Sequence, residues 1–111
     1  MRFTNFGRAG LTVSRMILGT GTFGKQTHEQ EAHRVLGTAA EAGINFIDTA
    51  DVYPPGAEAG GAELVTGCWL RNKRAGFILA TKGGGKMGPP FGTLAAPENT
   101  CSMPSTLPCA A

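Results

Sequence analysis

Three short apolar runs alternate with two helix-like segments, and this alternation constrains the fold more than any other feature of the chain. The runs occupy residues 16–18, 44–47 and 77–80, and glycine or polar residues follow each one. Apolar runs of this length, interrupted here only by Asn45, are typical of strands that are buried on both faces of a parallel sheet. The sequence therefore predicts strands that alternate with helices and pair in parallel through right-handed crossovers.

The segments between the runs have helical periodicity and recognisable ends. Thr27 and Gln30 have the spacing of a capping box, which predicts that the first helix begins there. Gly43 is expected to end that helix, because glycine adopts the left-handed conformation that stops helices. The second helix is predicted to begin at Gly61 or Ala62 and to end before Gly76.

The second helix is expected to turn one apolar face towards the sheet. The residues on that face are Leu64, Val65, Cys68 and Trp69. A basic run at residues 71–74 is expected in the last turn, where cations interact favourably with the helix dipole. Because short runs of like charge usually lie at the surface, we interpret this run as a solvated face and not as a binding patch.

A β-hairpin is predicted before the first apolar run. Residues 2–6 and 11–14 flank the turn Gly7-Arg8-Ala9-Gly10, a pattern typical of two short antiparallel strands. The predicted order is thus a β-hairpin followed by β-α-β-α-β, which is an α/β fold.

Size, charge and cysteine spacing exclude several classes of function. The 111 residues suffice for one small domain. A formal net charge of +2 gives no electrostatic footprint for nucleic acid, and no stretch approaches the roughly 20 apolar residues of a membrane span. The three cysteines have no metal-ligand spacing, so we predict no metal site. The simplest interpretation is a cytoplasmic protein with reduced cysteines.

Three residues that can carry chemistry lie at or after the carboxyl ends of predicted strands. Asp48 follows the second run directly, Tyr53 is the one tyrosine of the chain, and Lys82 follows the third run. Because the carboxyl ends of parallel strands share one face of the fold, these side chains are expected to converge. A lysine ammonium favours the phenolate form of a neighbouring phenol, and a carboxylate behind the lysine fixes its position. A tyrosine in this setting could serve as a general acid.

Each of these residues also has a purely structural interpretation. Asp48 could cap the backbone amides of residues 50 and 51, Tyr53 could pack on the rim of its loop, and Lys82 could simply be exposed. Asp51 is interpreted as a turn residue and not as a catalyst.

Four stretches of the chain resemble the N-terminal part of the aldo-keto reductases: LTVSRMILGTGTFG, EAHRVLGTAAEAGINFIDTADVY, GAELVTGCWL and FILATKGGG. The resemblance covers residues 1–91, and the aspartate-to-tyrosine spacing in FIDTADVY is its most specific motif. It implies the N-terminal part of a (β/α)8 TIM barrel, closed at the bottom by the hairpin. It also implies reduction of small-molecule aldehydes or ketones to alcohols with a reduced nicotinamide, usually NADPH, although the residues do not decide between NADPH and NADH.

The same resemblance implies roles for individual residues. Asp48, Tyr53 and Lys82 match three members of a catalytic tetrad, in which the tyrosine donates a proton and the lysine favours its ionisation. The residues implied in cofactor binding are Gly19, Thr20, Gly21 and Asp48.

The sequence departs from the family pattern in three respects. The tetrad's histidine has no counterpart, since His28 and His33 lie before or within the first helix and His33 is interpreted as a surface or packing residue. A (β/α)8 barrel needs at least about 200 residues, so we expect a truncated and inactive fragment. Residues 92–111 lack periodicity and are predicted to be an unstructured tail. A shift of reading frame near residues 87–92 is the favoured explanation, and a long insertion or a remodelled terminus is the alternative.

Two other functions remain as alternatives at this point. A non-catalytic part-barrel could dock onto a partner chain, because a three-stranded sheet would leave its inner face and both edges open. A phosphate-binding module built on residues 19–24 is disfavoured, because LGTGTFG lacks the lysine and hydroxyl pair of a P-loop. The sequence does not predict an oligomeric state.

Overall fold

A computed structural model describes residues 1–56 and 59–85 of the chain. The predicted tail at residues 92–111 lies outside these ranges, as do the last residues of the predicted partial barrel. In chain order the elements are β1 (Phe3–Asn5), β2 (Thr12–Ser14), β3 (Leu18–Gly19), α1 (Glu29–Glu41), β4 (Phe46–Asp48), α2 (Gly61–Leu70) and β5 (Ile78–Ala80). One turn of 3-10 helix at Arg74–Gly76 precedes β5.

Strands β3, β4 and β5 form one parallel sheet with β4 in the middle. Ile47 of β4 pairs with Leu18 on one side and with Leu79 on the other. α1 connects the first pair of parallel strands and α2 connects the second pair, as parallel pairing requires. The predicted order of a hairpin followed by β-α-β-α-β is confirmed.

The apolar core lies between this sheet and the two helices. Leu36 of α1, Ile47 of β4 and Leu70 of α2 are each at most 3% exposed. Trp69 packs edge-on against Phe77, with ring centroids 5.1 Å apart. Because burial of one such side chain contributes about 1.5–3 kcal/mol, this cluster is the main source of stability in the described ranges.

The hairpin covers the opposite face of the central strand. β1 and β2 pair antiparallel, as predicted. Phe6, in the turn region after β1, packs edge-on against Phe46 of β4 with ring centroids 5.7 Å apart. Phe46 is consequently only 6% exposed. Phe46 and Ile47 are therefore buried on opposite faces of the central strand, as its mostly apolar run predicts.

The first apolar run does not behave as predicted. Met16 and Ile17 are 60% and 53% exposed, and strand β3 is confined to the two residues after them. The prediction of a buried strand is wrong for Met16 and Ile17. β3 is an edge strand of the described sheet, so its residues have a packing neighbour on one side only.

The first helix begins later than its capping signal predicts. α1 starts at Glu29, and His28 before it makes no side-chain capping hydrogen bond. Thr27 instead shares a hydroxyl–hydroxyl hydrogen bond of 2.9 Å with Thr22, so the capping-box prediction is wrong. Gly43 has a φ of +86° just beyond the helix, which is the conformation expected at a glycine stop.

The second helix begins at the predicted residue but buries only part of the predicted face: Trp69 is buried and Val65 packs against the core. Its buried residues are Ala62, Thr66, Trp69 and Leu70, whereas Leu64 is 42% exposed. Small side chains let a helix approach its neighbours closely and can therefore be buried. A prediction based on the positions of large apolar residues overlooks them. The basic run at residues 71–74 lies beyond the end of the helix and not in its last turn, although it is exposed as predicted.

Two further observations concern Cys68 and the two helices. Cys68 is disulfide-bonded, so the expectation of reduced cysteines is wrong at this residue. Within the described ranges, neither helix combines the length and apolar character that crossing a membrane requires.

Candidate active site

Backbone hydrogen bonds beyond the strand ends bring three loops together. Gly19, Asp48 and Ala80 lie in one register row at the carboxyl ends of the three parallel strands. Further along, the amide of Asp51 donates to the carbonyl of Lys82 at 2.9 Å. Loops from distant parts of the sequence are therefore fixed relative to one another at this edge, where parallel α/β folds form their sites.

Lys82 and Asp48 form the centre of this edge. Nζ of Lys82 lies 2.6 Å from Oδ2 of Asp48 and donates to the carbonyl of Thr49 at 2.9 Å. The two acceptors are on consecutive residues, so the ammonium is held against the end of β4. The two side chains are 54% and 35% exposed, which leaves the pair accessible to a ligand. An ion pair this exposed contributes little to stability, and its main effect is to hold the ammonium in place.

The ring of Tyr53 lies beside this ammonium. Lys82 Nζ is 5.1 Å from the ring centroid. The amide of Tyr53 donates to the carbonyl of Ala50 at 3.2 Å, and its carbonyl accepts from the amide of Ala62 in the first turn of α2 at 3.1 Å. The ring also packs against the apolar core. The structure thus brings together the three residues proposed for catalysis, Asp48, Tyr53 and Lys82.

The environment of Lys82 stabilises its charged form. The hydrogen bond to the Asp48 carboxylate raises the pKa of Lys82 above its ordinary value of 10.5. The negative charge of Asp48 and the neighbouring Tyr53 act in the same direction, and loss of hydration opposes them. Lys82 therefore keeps its positive charge over the whole physiological pH range.

The turn at residues 19–21 forms one wall of the cluster. A Cβ at Gly19 would meet no atom within 4 Å, so the space beside this residue is open. Thr20 is fully buried, and its hydroxyl and amide both donate to the carbonyl of Asp48, at 3.1 and 3.0 Å. A Cβ at Gly21 would lie 3.9 Å from Cε2 of Tyr53, so the turn runs along the tyrosine ring. Gly19 is consequently open to a ligand, whereas the hydroxyl of Thr20 is already engaged within the protein.

Two contacts that brace the cluster were not predicted from the sequence. Thr81 donates from Oγ1 to Oε1 of Glu63 at 2.6 Å, which ties the residue before Lys82 to the first turn of α2. Asp51 lies in a turn, as predicted, and its carbonyl accepts from the amide of Gly60 at 2.7 Å. No short motif links Glu63 to Thr81, which are 18 residues apart, so the sequence carries no signal for this contact.

The two histidines of the chain have other surroundings. His28 directly precedes α1. Nε2 of His33, on α1, lies 3.0 Å from the carbonyl of Val65 on α2 and links the two helices, which agrees with a packing role. Because a carbonyl oxygen only accepts, Nε2 carries the proton of this hydrogen bond. Within residues 1–56 and 59–85 no three His, Cys, Asp or Glu side chains are grouped as metal ligands would be.

The chain has clear relatives in sequence. Residues 15–101 match the sequence model of the Aldo/keto reductase family. The chain is 44% identical over 85 residues to the uncharacterized oxidoreductase YrpG of Bacillus subtilis, and 40% identical over 87 residues to the protein tas of Escherichia coli. Each alignment covers 74% of this chain but only 26% and 25% of the respective relative. The chain therefore spans about a quarter of the length of these curated relatives.

A solved structure shows the same relationship in three dimensions. The holo form of the aldo-keto reductase AKR11C1 from Bacillus halodurans aligns with a TM-score of 0.66 at 37% identity, over 76% of this chain and 26% of that protein. The hairpin and the three-stranded parallel sheet correspond to the N-terminal part of a (β/α)8 barrel. Because the family match extends over most of the chain, the chain belongs to the aldo/keto reductase family.

Proposed function

We propose that the cluster of Asp48, Tyr53 and Lys82 serves the NAD(P)H-dependent reduction of an aldehyde or ketone to an alcohol. The observation that carries this proposal is the position of the Lys82 ammonium, 2.6 Å from the Asp48 carboxylate and 5.1 Å from the centroid of the Tyr53 ring. An ordinary phenol is too weak an acid to protonate a substrate near neutral pH. A fixed cation beside the phenol stabilises the negative charge that appears when the proton leaves.

The residues then divide the proton chemistry between them. Tyr53 gives its proton to the carbonyl oxygen of the substrate as that oxygen becomes an alkoxide. Lys82 stabilises the phenolate that remains. Asp48 and the carbonyl of Thr49 hold Lys82 in place and in its charged form. Thr20 acts through Asp48, whose carbonyl it binds, and is therefore a positioning residue.

We propose a reduced nicotinamide as the cofactor, and NADPH as the form that the family resemblance favours. An ionised carboxylate accepts about four hydrogen bonds, so Asp48 has acceptor sites beyond those used by Lys82 and could hold ribose hydroxyls. The turn at residues 19–21 would form the neighbouring wall, because the space beside Gly19 is open. When bound, a reduced nicotinamide would supply a hydride to the carbonyl carbon of the substrate. Parallel titrations of the chain with NADPH and NADH test the choice between them.

The proposed chemistry can be tested in a chimera in which residues 1–85 replace the matching part of AKR11C1. We expect this chimera to reduce a simple aldehyde with a reduced nicotinamide. Tyr53→Phe keeps the ring and removes only the hydroxyl, and it should lower kcat by about 10²–10⁴-fold. A folded chimera whose kcat is unaffected by Tyr53→Phe would refute the role of Tyr53 as the proton donor.

We further propose that the 111-residue chain by itself is inactive or nearly so. The support is that the cluster contains three of the four tetrad groups that the family resemblance implies, while both histidines of the sequence belong to the region of α1. Oxidation of NADPH in the presence of an aldehyde, measured for the chain and for its Tyr53→Phe variant, tests this. Turnover well above the Tyr53→Phe control would show that the chain is active without further segments.

A second candidate function is a non-catalytic part-barrel that docks onto a partner chain. The observation that favours it is apolar exposure: Met16 and Ile17 lie 60% and 53% exposed beside edge strand β3, and Leu64 of α2 is 42% exposed. Apolar side chains at an open sheet edge favour association. Size-exclusion chromatography with light scattering tests this, since a monodisperse monomer would argue against docking and a complex of defined mass would support it.

A cytoplasmic location for the reaction is also a proposal. Its support is the resemblance to enzymes that act on small diffusible carbonyl compounds. Fractionation of cells that produce the tagged chain would test it, and recovery outside the cytoplasmic fraction would refute it.

A further inference from the structure

Lys25 makes a contact that the proposed proton chemistry does not use. It lies in the loop between β3 and α1, and its Nζ donates to the carbonyls of Pro55 and Gly56 at 3.2 and 3.0 Å. Those carbonyls follow Tyr53 in the loop after β4, and they are 30 and 31 residues away from Lys25 in the sequence. A single ammonium therefore joins the loop after β3 to the loop that carries the proposed proton donor.

The loop that carries Lys25 is itself anchored. Phe23, two residues before it, is 3% exposed and belongs to the apolar core. The hydroxyls of Thr22 and Thr27 share a hydrogen bond of 2.9 Å, and the amide of Gly24 donates to the carbonyl of Thr27 at the same distance. Because this loop is held by the core and by its own hydrogen bonds, the contact made by Lys25 restrains the facing loop.

Glycine residues lie at two close contacts of these segments. A Cβ on Gly56 would lie 3.2 Å from Nζ of Lys25, and a Cβ on Gly24 would lie 3.3 Å from the carbonyl carbon of Gly61 at the start of α2. Both Gly24 and Gly56 have positive φ values, +88° and +71°, which other residues rarely adopt. Gly24 therefore lets the loop after β3 approach the start of α2 closely, and Gly56 leaves room for the Lys25 ammonium.

Tyr53 belongs to the loop that Lys25 binds, and its ring lies between the loop after β3 and Lys82. On one side its ring runs along Gly21 of the first loop, with 3.9 Å between Cε2 and the position of a Cβ there. On another side the ring faces the Lys82 ammonium at 5.1 Å. The carbonyl of Tyr53 is held by the amide of Ala62 in α2, at 3.1 Å. Restraint of the residues that follow Tyr53 therefore limits how far its ring can move from Lys82.

We propose that Lys25 is a positioning residue for Tyr53, which it holds between Gly21 and Lys82 by binding the carbonyls of Pro55 and Gly56. The catalytic consequence of this restraint rests on the proposed function. The restraint itself is a property of the folded chain and can be measured without turnover.

The test uses the one tyrosine of the chain as a reporter. Tyrosine labelled with carbon-13 in the ring gives nuclear magnetic resonance signals from Tyr53 alone. Lys25→Met removes the donor and keeps an unbranched side chain, and Lys25→Arg keeps a cationic donor. Lys73→Met is the matched control, because Lys73 is also exposed but lies over the Trp69 ring, at 4.3 Å from its centroid.

We expect the Tyr53 ring signals of Lys25→Met to move at least halfway towards their positions in the unfolded chain, or to broaden beyond detection. Lys25→Arg should restore the wild-type signals, and Lys73→Met should leave them unchanged. Far-UV circular dichroism establishes in each case that the chain is folded, since Lys73→Met alters the surroundings of Trp69 directly. If Lys25→Met does not fold, Lys25→Gln replaces it, because the shorter amide does not reach the two carbonyls.

Unchanged Tyr53 signals in a folded Lys25→Met or Lys25→Gln variant would overturn the proposal, as would an equal change in Lys73→Met. Neither result depends on catalysis. If the chimera with AKR11C1 shows no turnover that depends on Tyr53, the proposed function fails, while the Tyr53 signals still decide whether Lys25 positions the ring.

Discussion

The two ends of the three-stranded sheet are held by different kinds of chemistry. At the amino end of β4, the amide of Ser14 donates to Oδ1 of Asn45 at 2.8 Å, and the amide of Asn45 donates back to Oγ of Ser14 at 3.1 Å. The side-chain amide of Asn45 also donates to the carbonyl of Thr12 at 3.1 Å. At the carboxyl end, the ammonium of Lys82 meets the carboxylate of Asp48 at 2.6 Å, and both side chains remain partly exposed.

The difference separates a structural end from an end that we propose to be reactive, which we call the reactive end. The group formed by Asn45, Ser14 and Thr12, which we call the Asn45 clamp, is neutral and uses its donors and acceptors within the protein, so it joins the hairpin to the sheet. The charged end leaves part of the Asp48 carboxylate free, beside an open position at Gly19. In (β/α)8 barrels the amino-terminal face serves stability and the carboxyl-terminal face carries the chemistry, and the proposed site of this chain lies at the carboxyl-terminal face.

The strongest test of this division is removal of the cation at the reactive end. In the AKR11C1 chimera, Lys82→Met should lower kcat on the order of 100-fold or more, because the phenolate of Tyr53 loses its stabilising charge. Urea unfolding should show little change, since an exposed ion pair contributes little to stability. A large loss of stability with an unchanged kcat would reverse the roles assigned to the two ends.

At the structural end, we expect a substitution to lower stability and to leave kcat unchanged. Asn45→Ala removes the two side-chain hydrogen bonds of the Asn45 clamp and should lower the free energy of unfolding by about 2 kcal/mol, at roughly 1 kcal/mol for each bond. Urea unfolding followed by Trp69 fluorescence measures this, with Asn5→Ala on exposed strand β1 as the control. The kcat of the folded chimera should be unaffected by Asn45→Ala, and a fall in kcat would mean that the two ends are coupled.

A smaller effect on catalysis is expected from the loop contact of Lys25. In the chimera, Lys25→Met should lower kcat by about tenfold and leave KM for the cofactor within about twofold, because a misplaced proton donor affects the transition state more than ground-state binding. Lys25→Arg should recover most of the rate. A raised KM with an unchanged kcat would indicate instead that Lys25 contributes to binding.

A substitution at Thr20 tests whether the stability of the fold also depends on the reactive end. Thr20→Val keeps the shape of this buried side chain and removes its hydrogen bond to the carbonyl of Asp48, which still accepts from the Thr20 amide. The expected loss is about 1 kcal/mol in the free energy of unfolding. Urea unfolding measures it, and a loss as large as that of Asn45→Ala would show that both ends stabilise the fold equally.

The smallest expected effect is on the pH dependence of stability. Because the pKa of Lys82 is raised by its hydrogen bond to Asp48, the ion pair stabilises the folded chain fully below the ordinary lysine pKa of 10.5. That stabilisation is lost as the pH rises through the higher pKa of the folded state. The difference in unfolding midpoint between the wild type and Lys82→Met should therefore be constant from neutral pH to about pH 10 and should shrink above it. A difference that persists at strongly alkaline pH would mean that the Lys82 side chain stabilises by packing and not by charge.

The order of elements could be predicted from the sequence, but several local details could not. Apolar runs and glycine stops predict strands and helix ends because they reflect backbone preferences over a few residues. Thr27 had the spacing of a helix cap, yet a competing hydrogen bond with Thr22 in the same loop engages it. Met16 and Leu64 are apolar and were expected to be buried, but burial depends on which neighbours a strand or helix has in the fold.

The candidate site, too, could be predicted from the sequence only in part. The resemblance of FIDTADVY and ATKGGG to a known family identified Asp48, Tyr53 and Lys82, and the rule that parallel strand ends share one face predicted that they meet. The roles of Lys25, Asn45 and Thr20 depend on contacts between residues 28 to 33 positions apart. Local sequence determines the spacing of apolar residues in each helix and strand and the approximate ends of each element. The tertiary structure decides these contacts, because hydrogen bonds between loops depend on which strands are adjacent and in which register they pair.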